Sequence, residues 1–88
     1  MTIEWHHDMD DGHRRSMAMI EDALGTITIT MHHPTAHLRR WTLGVAICDN
    51  RGNYTSALRE SRAKPSDEVV QRIVDVILAA HGWSQGWL

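Results

Sequence analysis

The chain has 88 residues, 42% of them apolar, and a formal charge of −2. This length holds one domain, residues 1–88, with a single core, and the apolar content is too high for a chain that stays unfolded. One cysteine, Cys48, excludes an internal disulfide and a thiolate metal cage. Its neighbours Ala46 and Ile47 predict a buried, inert thiol.

Thr2-Ile3-Glu4-Trp5-His6 alternates polar and apolar residues and predicts a short strand. His7 to Gly12 is polar and acidic, a loop running to a helix cap at Asp10 or Asp11. From His13 to Leu24 the apolar residues Met17, Ile20, Ala23 and Leu24 recur at helical spacing, and Gly25 supplies a stop. Thr26 to His32, T-I-T-I-T-M-H, alternates strictly and predicts a strand with Ile27, Ile29 and Met31 on one face. Pro34 closes it.

Arg40 to Cys48 predicts a second strand, with Trp41, Leu43, Val45 and Ile47 opposite the small Thr42, Gly44, Ala46 and Cys48. Asp49-Asn50-Arg51-Gly52 has turn chemistry, and Asn53 to Arg59 returns as a third strand with Tyr54, Ser56 and Leu58 on one side. Pro65-Ser66-Asp67-Glu68 opens a helix, with Ser66 as cap and two acids against the helix dipole. Val69, Val70, Ile73, Val76, Ile77 and Ala80 form its apolar stripe, His81 lies in its last turn and Gly82 ends it. The Trp83 to Leu88 tail carries two tryptophans and is expected to fold back on the body.

The fold class expected is α+β in the order β-α-β-β-β-α: an antiparallel meander of three to four strands with two helices on one face. The expected core is Ile27, Ile29, Leu43, Val45, Ile47, Val70, Ile73 and Ile77. The α-β-β-β-α portion is similar in element order to double-stranded RNA-binding domains. The second helix of those domains opens with phosphate-gripping lysines where this chain has Ser66-Asp67-Glu68, and no family is assigned.

Charge is segregated along the sequence. Between Leu38 and Lys64 lie six of the nine basic residues, Arg39, Arg40, Arg51, Arg59, Arg62 and Lys64, against only Asp49 and Glu60. The first twelve residues hold four acids, Glu4, Asp8, Asp10 and Asp11, and no Lys or Arg. Arginine presents five donors in a planar fork that grips carboxylate or phosphate, and with aromatic residues it is enriched at protein-binding hot spots. The residues expected to bind a partner are therefore Arg39, Arg40, Arg51, Tyr54 and Arg59. The same arginines have two other readings: they fold onto the chain's own acidic N-terminal loop, or they form a solvated face.

Seven histidines raise a metal reading in which His32, His33 and His37 converge. Adjacent strand residues point to opposite faces, Pro34 interrupts the helical spacing from His33 to His37, and no H-E-x-x-H pattern occurs. No Gly-x-Ser-x-Gly elbow, phosphate loop or dinucleotide fingerprint is present. The expectation is no enzyme, no catalytic or metal site and no cofactor.

The function expected is a small protein-binding module, a regulator, inhibitor or adaptor of bacterial or phage type. It would act on nucleic-acid-handling machinery and dock an acidic protein surface. The alternatives are nucleic-acid binding by the same hairpin, which the acidic total disfavours, and a histidine metal protein. The N-terminus is acidic with no long apolar region after it, and the longest apolar run, Val76 to Ala80, is too short to span a bilayer. No membrane partner and a reducing cytoplasm are the expectation, with a homodimer through Trp83, Trp87 or the sheet edge.

Overall fold

Every strand of this protein pairs with the next one in sequence. The computed structural model describes residues 3–22 and 24–82, and they form one five-stranded antiparallel sheet in the order β1-β2-β3-β4-β5 followed by a single helix. The strands are β1 (His6–Asp10), β2 (His13–Asp22), β3 (Gly25–His32), β4 (Trp41–Asp49) and β5 (Tyr54–Ser61), and the helix is α1 (Asp67–His81). The expected α+β meander is present, but the β-α-β-β-β-α order and the second helix are not.

The first helix is the correction. His13 to Asp22 is a strand, paired residue for residue with β3 from Arg15 opposite His32 to Asp22 opposite Gly25. Its apolar residues Met17, Ala18, Met19 and Ile20 are contiguous, so they suit a helix face and a strand face equally. Long-range pairing decides between them, because β3 needs a hydrogen-bonding neighbour on each side. With that helix gone, the likeness in element order to double-stranded RNA-binding domains goes too.

The preceding acidic loop is a hairpin. Asp11 (φ 50°) and Gly12 (φ 81°) both lie in the left-handed region required at the two centres of a type I′ turn, which joins β1 to β2. Gly25 is no helix stop either. At φ 150°, a Cβ there would stand 2.3 Å from the Cys48 carbonyl oxygen, so glycine is needed to let β3 pass the end of β4.

The strand expected at Thr2 to His6 is displaced: residues 3–5 lie outside any strand and β1 begins only at His6, while the elements from β3 onward lie close to the expected boundaries. Ser66 caps α1 by accepting from the Val69 amide at 3.2 Å, and Gly82 closes it in the left-handed conformation. The helix lies on one face of the sheet, where Val70, Val74, Ile77 and Leu78 meet Ile27, Ile29, Met31, Leu43, Val45, Ile47 and Ala18 in the buried core. Ile73 is only half-buried at its edge; Val74 and Leu78 take the deep positions instead. Ile3 and Trp5 cover more of this face, and the Trp5 indole donates to Asp67 at the helix start, 3.1 Å away.

The opposite face carries Thr28, Thr30, Gly44, Ala46 and Ser56, and no helix of the described residues packs on it. Cys48 is exposed there rather than buried. Among the described residues no helix is long and apolar enough to cross a membrane. The Trp83 and Trp87 contacts expected of the tail lie outside the described residues.

Candidate functional site

The meander puts the β3–β4 loop, the β1–β2 turn and the end of β5 at one end of the sheet, and the β4–β5 turn and the helix C-terminus at the other. This divides the arginines. Arg39 and Arg40 immediately precede β4, and Trp41 pairs with Ser61, so Arg62 and Lys64 leave the sheet beside them. Arg59 is opposite Leu43 near the same end. Arg51 is in the far turn, and Tyr54 is beside it at the start of β5. At about 3.3 Å per residue, the eight steps of β4 hold Arg40 about 26 Å from the far turn, whereas the five steps from Tyr54 to Arg59 along β5 span about 17 Å. Of the expected residues, the structure brings together Arg39, Arg40 and Arg59, and places Arg51 and Tyr54 elsewhere.

Among the described residues, Arg39, Arg40, Arg59, Arg62 and Lys64 form no ion pair with an acid, and the four arginines are exposed. Of the four N-terminal acids expected as an internal partner, Asp8 and Asp10 are already occupied. Asp8 takes the Arg15 guanidinium on two nitrogens at 2.9 and 2.7 Å, and Asp10 takes Arg15 at 3.6 Å and His32 at 3.0 Å. The hydrogen bond from Arg15 holds the Asp8 carboxyl below its ordinary pKa, and that from His32 does the same for Asp10.

On the helix side of the same end, Ser16 is 1% exposed. Its hydroxyl lies 2.8 Å from His7 Nδ1 and 3.0 Å from His33 Nε2, linking β1, β2 and the chain after β3. The His33 ring leans on Trp41, centroids 4.4 Å apart, and Lys64 Nζ stands 5.9 Å over the Trp41 ring. Burial, then the charges of Arg14 and Lys64, push the His33 pKa down, which favours a neutral ring accepting the Ser16 hydroxyl proton. His32 and His33 thus go to opposite faces. Among the described residues no three His, Cys, Asp or Glu side chains gather as a metal site would need.

The other end holds a cluster that sequence reasoning missed. Asp49 and His81 have side chains only 5% exposed, with Oδ2 and Nε2 3.0 Å apart, and Thr55 Oγ1 lies 2.6 Å from His81 Nδ1. Burial pushes the Asp49 carboxyl up, but hydrogen bonds from Asn53, His81 and the Arg51 amide outweigh it and hold the pKa at about 2. The carboxylate therefore carries no proton and accepts from His81 Nε2–H, while His81 Nδ1 shares a hydrogen bond with the Thr55 hydroxyl. The order hydroxyl, imidazole, carboxylate is that of an acyl-transfer triad, beside a cleft of about 540 Å³ lined in part by Arg51 and Asn53.

The backbone amides of the turn are already used. The Arg51 and Asn53 amides bind Asp49 Oδ1, both at 2.8 Å, the Gly52 amide binds the Asp49 carbonyl and the Asn50 amide binds that of Leu24. This cluster fastens the end of β4, the start of β5 and the last turn of α1. Asp49 beside Gly52 was readable as a turn, but its meeting with a histidine 32 residues later was not. Compared with known protein families, curated proteins and solved structures, the chain matches none of them.

Proposed function

We propose that this protein is a non-enzymatic binding module that docks an acidic protein surface through the loop end of its sheet. Arg39, Arg40 and Arg59, with Arg62 and Lys64 beside them, supply the contacts. The observation that carries this reading is the charge balance: Asp8, Asp10 and Asp49 are each engaged within the fold, whereas these arginines meet no carboxylate among the described residues. An exposed guanidinium costs little to keep solvated and gains most when a partner's carboxylate desolvates it. Roles as regulator, inhibitor or adaptor all follow from occupying such a surface.

A protein partner fits better than a nucleic acid. Single strands are held by aromatic rings open to stacking beside cations. Here Trp41 is half-buried with His33 and Lys64 against it, and the exposed Tyr54 lies at the end away from Arg39 and Arg40. The total charge of −2 argues the same way, since nucleic-acid-binding domains carry a basic excess.

The test is fluorescence anisotropy with two labelled probes, a peptide of alternating Glu and Val and a mixed-sequence single-stranded oligonucleotide, over a range of salt. Binding of the peptide, weakened at least about tenfold by Arg39→Ala with Arg40→Ala, is the expected result. Tighter binding of the oligonucleotide with a steep salt slope would assign the loop end to nucleic acid instead.

A further inference from the structure

The two edges of the sheet are protected very differently. β1 is a five-residue edge reading His-His-Asp-Met-Asp, short and charged in the way that discourages another strand from pairing. β5 is eight residues long, Tyr54-Thr-Ser-Ala-Leu-Arg-Glu-Ser61, with no proline. Among the described residues no strand pairs with its outer side, and the backbone groups on that side can be assigned. The Asp49 amide donates to the Asn53 carbonyl, and hydrogen-bonded and non-bonded pairs alternate along an antiparallel ladder. Thr55, Ala57, Arg59 and Ser61 therefore spend their backbone groups on β4, and Tyr54, Ser56, Leu58 and Glu60 aim theirs at the open edge.

Beside that edge runs a groove of about 320 Å³ between β5 and α1, with Ala57, Ile73, Val76 and Ile77 as its apolar lining and Arg59 and Arg72 as its cations. Neither arginine has a carboxylate partner among the described residues. Val76 is 66% exposed and Leu58 73% exposed, so both sides of the edge present apolar surface to whatever pairs there.

We infer that β5 receives an extended acidic segment of the partner protein as a sixth strand, laid in the groove against α1. This rests on the functional reading above and adds how the partner is held. Strand addition takes its affinity from the main chain and its specificity from alternate side chains. Side chains on the helix side meet Ile73 and Val76 where apolar, and Arg59 and Arg72 where acidic. A second copy of this chain fits the groove less well, because the helix-facing residues of its β5, Thr55, Ala57, Arg59 and Ser61, include no acid to meet Arg59 and Arg72.

Amide hydrogen exchange, with and without the Glu-Val peptide, is the test. In the free protein Tyr54, Ser56, Leu58 and Glu60 exchange fast while Thr55, Ala57 and Arg59 are protected by β4; saturating peptide slows the first four at least about tenfold. Ser56→Pro removes one edge donor without touching the β4 ladder, and is expected to weaken the peptide at least about tenfold while unfolding stays cooperative.

Peptide binding that leaves those four amides fast overturns the inference and spares the functional reading. Failure of the peptide to bind overturns both. Protection that appears with protein concentration alone, without peptide, makes a second copy the occupant and also overturns the inference.

Discussion

At the β4–β5 turn, one carboxylate, Asp49, accepts from two turn amides and a histidine, and the histidine is in turn hydrogen-bonded to Thr55. At the β3–β4 loop, Arg39 and Arg40 stand exposed and meet no carboxylate among the described residues. Both ends are rich in groups that carry chemistry, and a residue count does not separate them. The separation comes from whether the hydrogen-bonding capacity is spent inside the fold. A polar group whose partners are all internal works for stability, and one left to water is available to another molecule.

The comparison is tested first where the core supports the turn end. Leu78→Ala removes a fully buried side chain from the helix turn that carries His81 and is expected to cost about 2–5 kcal/mol by lost transfer energy plus a cavity, measured by urea unfolding. A near-neutral result would mean that α1 is not held by this face. Thr55→Val keeps shape but deprives buried His81 of its hydroxyl partner, and about 1–3 kcal/mol is expected, with no change in peptide binding. A binding loss at unchanged stability would move function to the turn end.

The pH dependence sharpens the same point. Asp49 is held at about 2, below its ordinary value of 3.8, so its contribution to stability is complete above the ordinary value and is lost as pH falls through about 2. Unfolding free energy should therefore drop between pH 4 and pH 2, and Asp49→Asn should flatten that part of the profile. An unchanged profile in the variant would show that the cluster does not set acid stability. The smallest effect on stability is expected at the loop end, where Arg39→Ala with Arg40→Ala should cost only about 0–1 kcal/mol.

Where structure follows from local chemistry, the sequence was legible. The alternation of Thr26 to His32, the turn at Asp49 to Gly52 and the cap at Ser66 all lie where residue type dictates. His13 to Asp22 was not, because a run of Met, Ala, Met and Ile has no period of its own and its pairing with β3 decides its form. The Asp11-Gly12 dipeptide is a strong hairpin signal and was the available clue, since a two-residue turn needs a strand on each side.

The candidate site was legible in kind and not in place. Arginine enrichment between Leu38 and Lys64 is a fact of composition, but a nine-residue strand sends Arg40 and Arg51 to opposite ends. The joining of His7 to His33 through Ser16, and of Asp49 to His81, depends on register and helix placement that no local pattern carries.

The most direct test of the division between the two ends compares two variants in one peptide titration, with thermal unfolding run alongside. Arg39→Ala, Arg40→Ala and Arg59→Ala together should reduce affinity for the Glu-Val peptide at least about tenfold, or about 1.4 kcal/mol, with melting nearly unchanged, while Arg51→Ala should bind as the parent does. An equal loss from Arg51→Ala, or full binding by the triple variant, would contradict the account.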